Sequence, residues 1–305
     1  MARINSQIRG SLEIAVASMG FGFLGIFGKW AFSAGASVGE VLTYRFGCAA
    51  LIIWISLLII KPQWVILPRR QIFVAALLGI FGYAFFSTLY FEAIEGLSVT
   101  LAALLLYTYP FWVSVFSHLF TQDKVTWREG LCLTGATIGL MLLLWGSIEI
   151  RNFWSILAGL GSAISYAVYV ILSGRLQKNV RPVSSTVYVI TFAFLALAIF
   201  HHPNPIHIAD MPSSAAGSIL GLSLICTIMP LTLELSALQK IKSKEVALLM
   251  MIEPLTAALL GSLILHENLS GRQVVGAIII ALSLIANSLL FNASHRPSSR
   301  LDSPT

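Results

Sequence analysis

Apolar runs of about 20 residues recur from one end of this chain to the other, and each is long enough to cross roughly 30 Å of hydrocarbon as a helix. Bounded by charge, glycine, proline and serine clusters, they fall near 11–32, 39–60, 71–92, 98–119, 128–147, 152–173, 183–201, 213–236, 245–265 and 270–291. Backbone amides have no water to bond with inside a bilayer, so such runs must be helical. The predicted fold class is therefore an all-α membrane protein with ten transmembrane helices. Composition agrees: 57% of the 305 residues are hydrophobic and 10% charged, against about a quarter charged in a soluble domain, and the mean hydropathy is +0.86. The connections are short; the longest, "HHPNPIHIADMPS" (201–213), holds three prolines and reads as a surface loop. The first apolar run exceeds the roughly 7–15 residues of a signal-peptide core, which predicts an uncleaved first span.

The net charge of +6 does not point to nucleic acid, because the basic residues form no continuous stripe and sit between the apolar runs. With a cytoplasmic N-terminus, 15 of the 19 lysines and arginines fall on the cytoplasmic side, and Arg151 and Arg272 on the other. That bias obeys the positive-inside rule and predicts a multi-pass protein of the inner (cytoplasmic) membrane with both termini inside. Segments 1–10 and 292–305 then read as a cytoplasmic N-terminus and a disordered cytoplasmic tail. Cys48, Cys132 and Cys226 lie in separate spans without CxxC spacing, which predicts buried small side chains, no metal and no cofactor.

A shift of 144 residues aligns 93–130 with 237–274 without a gap, placing Pro110 on Pro254, Asp123 on Glu267 and Arg128 on Arg272. Each half, 11–147 and 152–291, holds five spans. An odd number forces the second half to cross the membrane inverted relative to the first, and inverted repeats are a mark of secondary transporters. Prolines at matching mid-span positions point to the substrate site in such proteins. Pro110 and Pro254 are such a pair and are the expected hinges, each removing one amide donor and freeing the carbonyl of Leu106 or Met250.

Glu253 precedes Pro254 in the middle of an apolar span. A carboxylate there costs on the order of 2.5–3.5 kcal/mol on insertion scales, so it should face a cavity, pair with a cation or be protonated. Three roles stay open for it: proton coupling, anchoring a cationic substrate group, or bonding a neighbouring helix. Its counterpart in the first half is Tyr109. Arg45, about 9 Å inside the second span at 1.5 Å per residue, is a candidate for a substrate carboxylate or a clamp on freed carbonyls. Lys29 is close enough to a span end to snorkel. Glu92, Glu95 and Glu234 lie near span ends and are expected to reach headgroup water. Tyr83, Tyr90, Tyr107, Trp112, Tyr166 and Tyr169 include candidate cavity linings, Tyr83 and Tyr166 foremost. No HExxH, GxSxG or P-loop occurs. His201, His202 and His207 share one loop without a scaffold for metal.

The stretches "LTYRFGCAALI" (42–52), "AALLLYTYPFWVSVFSHLF" (102–120) and 226–280, together with the half-chain repeat, resemble the EamA-type branch of the drug/metabolite transporter superfamily. The resemblance spans residues 11–291. It implies two inverted five-helix repeats around a cavity opened alternately to either side, and Arg45, Pro110, Glu253, Pro254, Glu267 and Gly276 match family-typical places. The expected function is secondary-active or facilitative transport of small metabolites, amino acids or related polar compounds, with export as one direction. Substrate, membrane lipid and coupling protons are the expected partners. The rival is a membrane-embedded enzyme acting on a lipid or isoprenoid.

Overall fold

The computed structural model describes residues 2–121, 126–145, 150, 152–203 and 212–294. Asp123, Lys124, Arg151, His207, Arg296 and Arg300 lie outside these. Among the described residues ten helices cross the molecule: α1 Asn5–Ser33, α2 Val38–Ile60, α3 Arg69–Gly96, α4 Thr100–Phe120, α5 Trp127–Leu143, α6 Phe153–Leu176, α7 Pro182–His201, α8 Ser213–Ala237, α9 Ser243–Ile264 and α10 Gly271–Ser288. All but α5, which has 17 residues, are long and apolar enough to span a bilayer on those criteria alone.

Helix starts carry their own signals. Ser37 with Glu40 and Thr126 with Glu129 form capping boxes, in which each side chain bonds the other's backbone amide. Ser270 and Gln273 do the same at the start of α10, 144 residues after Thr126 and Glu129. Gly35, at a φ of +91°, lets the chain turn between α1 and α2 in a conformation that other residues rarely adopt.

Much of the packing is two-fold. Where α3 packs on α6, α8 packs on α1; where α2 meets α8, α7 meets α3; where α4 lies on α6, α9 lies on α1. The pairs α2 with α7, α4 with α9 and α5 with α10 join each helix to its own counterpart. Individual contacts repeat too. The Ser223 hydroxyl donates to the Arg45 carbonyl at 2.9 Å. At the two positions related to these by the 144-residue shift, Gly79 sits so close to the Val189 carbonyl that a Cβ would come within 2.5 Å of it. The same helix approach is closed by a hydrogen bond in one half and by a missing side chain in the other. The predicted fold class, ten helices in two inverted five-helix repeats, is the observed one.

Departures from regular helix are symmetric as well. Leu78–Ala84 in α3 and Leu224–Ile228 in α8 are π-helical, and the 144-residue shift carries the first onto 222–228. Single π turns inside α-helices mark functional sites more often than chance. Helix α4 breaks after Leu106 and resumes at Tyr109; α9 breaks after Leu249 and resumes at Ile252. Both predicted hinge prolines lie just past a break. The expectation of a free Met250 carbonyl does not hold, because the Glu253 amide donates to it at 2.9 Å. A three-residue turn replaces the four-residue one that the proline forbids. Near the first break the Thr108 hydroxyl donates to the Leu105 carbonyl at 2.7 Å.

Candidate transport site

The two helix breaks bring the polar groups of α4 and α9 to the middle of the bundle. Glu253 is half-buried and Tyr107 of the other break faces its carboxylate. Tyr109, 2% exposed, donates instead to the Ala247 carbonyl across the interface with α9 at 3.2 Å. The first-half break thus bonds the second-half break at the backbone and faces it at the carboxylate.

Aromatic rings wall this region. Tyr109 meets Tyr166 edge-on at 4.9 Å, Tyr166 stacks with Tyr169 at 5.7 Å, and Tyr169 meets Tyr83 at 5.4 Å. Phe86 closes the ring against both Tyr83 and Tyr166. Gly82 makes room for this, since a Cβ there would meet the Tyr169 ring at 2.7 Å. The structure therefore gathers Tyr83, Tyr109 and Tyr166 from three helices into one cluster beside Glu253.

Arg45 is 7% exposed. Its Nε donates to Thr227 Oγ1 and its Nη2 to the Cys226 carbonyl at 2.7 Å. Both acceptors lie in the π turn of α8, where the widened helix leaves a carbonyl free for a side chain. Its guanidinium also lies over the Phe46 ring at 5.1 Å, and Phe46 meets Tyr83 edge-on at 5.4 Å.

Glu234 is the residue that sequence reasoning misplaces. Its position near the end of α8 predicts contact with headgroup water, but it is completely buried. Its Oε1 accepts from the Tyr166 hydroxyl at 3.2 Å, and Oε2 has no hydrogen-bond partner. Glu234 lies six residues past the π turn, in the stretch of α8 that packs against α1 and α7. Glu92 and Glu95 are exposed as expected.

Ion pairs bracket the site. On the face where α1 begins, Lys240 bonds Glu13, which also accepts from Arg9 at 2.9 Å, and Lys244 bonds Glu129 at 2.8 Å. On the opposite face Lys29 pairs with Glu267 at 3.1 Å, so the lysine does not merely snorkel. Helices α5 and α10 cross away from the site with Gly139 and Gly276 in backbone contact.

The model of the EamA-like transporter family matches residues 8–145 and again 153–289, one copy for each half. The chain belongs to the EamA-like transporter family. An uncharacterized transporter of Bacillus subtilis, YcbK, is 24% identical over 288 residues, covering 90% of this chain and 91% of its own length. An uncharacterized transporter of Archaeoglobus fulgidus is 32% identical over 201 residues, 65% of this chain and 70% of the relative. A Chlamydia trachomatis protein named S-adenosylmethionine/S-adenosylhomocysteine transporter is 25% identical over 236 residues, 71% of this chain and 70% of that protein. A solved crystal structure superposes with a TM-score of 0.76 at 18% identity, covering 94% of this chain and 99% of the other, and shares the fold. As a member of this family the protein is a multi-pass membrane transporter of small molecules.

Proposed function

We propose that this EamA-like transporter carries small metabolites bearing a cationic amino group, amino acids or close relatives, by alternating access. The observation that carries this reading is the half-buried Glu253 carboxylate at the two helix breaks, beside Tyr107 and a wall of tyrosines. A carboxylate fixes a cation by charge, and aromatic faces attract one through their quadrupoles. Tyr83, Tyr109 and Tyr166 supply that aromatic surface. Arg45 contributes positive potential, which suits the carboxylate end of a zwitterion. Pro110 and Pro254 act as the hinges at which the two repeats rock. The chlamydial relatives are named for S-adenosylmethionine and S-adenosylhomocysteine, both of which carry an amino-acid end of this kind. The distribution of basic residues supports a cytoplasmic membrane location with both termini inside. Export is the proposed working direction, and protons are the proposed coupling ion.

Purified protein in liposomes tests this with labelled amino acids and S-adenosylmethionine, with and without a pH gradient. Accumulation against a gradient, lost in Glu253→Gln, is the expected result. Equal rates in wild type and E253Q would remove Glu253 from the site. Conversion of lipid without solute accumulation would favour an enzyme instead.

A further inference from the structure

Glu234 has an environment that ordinary structural use does not explain. Its carboxyl group is completely buried, with one oxygen on the Tyr166 hydroxyl and the other unpartnered. A structural carboxylate in a membrane core normally pairs with a cation or saturates its lone pairs.

The neighbours from each packed element offer no such cation among the described residues. Arg45 of α2 is committed to Thr227 and Cys226 in the π turn of α8. On α1, Glu13 is held by Lys240 and Arg9. Lys240, just past the end of α8, is taken up by Glu13 and Ser236. Helix α7 has no charge before its terminal His201, and its Thr186 bonds Thr232. Helix α6 brings Tyr166, Tyr169 and Ser173, with Arg175 exposed at its end; α3 brings Tyr83, α4 Tyr109, and α9 brings Met250, whose sulfur lies 3.5 Å from the Tyr166 hydroxyl, and three residues further on Glu253.

We propose that Glu234 is a proton-binding site of the transporter, distinct from the cation-binding Glu253 and linked to it by charge through the tyrosine wall. The chemistry balances simply: water on the open side supplies a proton, one O–H bond forms on the free oxygen, and the same bond breaks when the proton leaves to the other side. A cationic group arriving at Glu253 cancels that residue's repulsion of an ionised Glu234, so cation binding favours proton release. Thermodynamic reciprocity makes the converse hold, with proton binding at Glu234 expelling the cation from Glu253. Exchange of substrate for proton results from two carboxylates that are not both charged unless a cation is present.

The direction of exchange rests on the proposed transport function, but the proton site can be tested without any substrate. Infrared difference spectra of the purified full chain, titrated between about pH 5 and about pH 9 where a perturbed carboxyl titrates, should show a protonated carboxylic C=O band. The band should vanish in Glu234→Gln, persist in Glu253→Gln, and change frequency in Tyr166→Phe, which removes the hydrogen bond to the group without touching the carboxyl. The Tyr166→Phe shift decides the matter if E234Q fails to fold. A band lost in E253Q but kept in E234Q, a band indifferent to both E234Q and Y166F, or no titrating carboxyl band would overturn the assignment. A transport-dead protein that keeps the Glu234 band would overturn the transport reading and leave the proton site standing.

Discussion

Arg45 of α2 holds Thr227 of α8 through its Nε, and the same guanidinium caps the neighbouring Cys226 carbonyl, so a charge in the membrane interior is tied to the one place where the helix ladder of α8 is widened. Loss of that grip leaves buried acceptors unsatisfied. Arg45→Ala should destabilise the protein by about 1.5–3 kcal/mol, the range for hydrogen bonds to charged groups. Thr227→Val should cost about 1 kcal/mol, and the double variant less than the sum because the two share one interaction. Thermal unfolding in detergent, followed by fluorescence, measures all three.

Tyr107 faces Glu253, whereas Tyr109 is occupied with the Ala247 carbonyl. Tyr107→Phe removes the hydroxyl that faces the carboxylate and should weaken substrate binding by roughly 2- to 10-fold, the effect of about 0.5–1.5 kcal/mol. Tyr109→Phe should instead lower thermal stability by a similar energy. Uptake kinetics alongside melting curves separate the two; a Tyr107→Phe protein with unchanged KM would remove this tyrosine from the site.

The glycine contacts predict opposite outcomes for one substitution type. A Cβ on Gly276 would lie 2.4 Å from the Leu143 amide nitrogen and 2.5 Å from the Gly139 carbonyl, both backbone, and neither can step aside without parting α5 from α10. Gly276→Ala should cost roughly 1–3 kcal/mol. Gly25 has nothing within 4 Å, so Gly25→Ala should be neutral or stabilise by up to about 1 kcal/mol. Melting temperatures compared in one detergent are the check.

Lys29 and Glu267 join the end of α1 to the α9–α10 connection, both about half exposed (55% and 56%). Solvent screening limits an exposed pair to about 0.2–1 kcal/mol, so Lys29→Glu should shift the balance between open states at that face by no more than roughly five-fold. Restoration by the reversed pair K29E/E267K would show that the charge interaction matters. Labelling rates of a cysteine placed near that face read the equilibrium; identical rates in all three proteins would deny the pair any gating role.

The ten spans, the 144-residue repeat and the paired breaks near Pro110 and Pro254 are legible in the sequence. Each rests on a local rule: hydrocarbon thickness sets span length, a proline removes its own amide, and an odd number of crossings inverts a repeat. Glu253 is legible for the same reason, being a charge too deep in its run to escape. Only the tertiary structure decides what Arg45 and Glu234 do. The interior carbonyl that Arg45 caps exists because α8 widens into a π turn, and no residue of "LICTI" announces that turn. Glu234 lies near the end of its run, where depth alone suggests headgroup water. Its burial depends on the packing of α8 against α1 and α7 and on Tyr166, 68 residues away in sequence. Local chemistry determines where this chain enters and leaves the membrane; which of its charges meet inside is set by long-range packing, which periodicity along one strand of sequence does not encode.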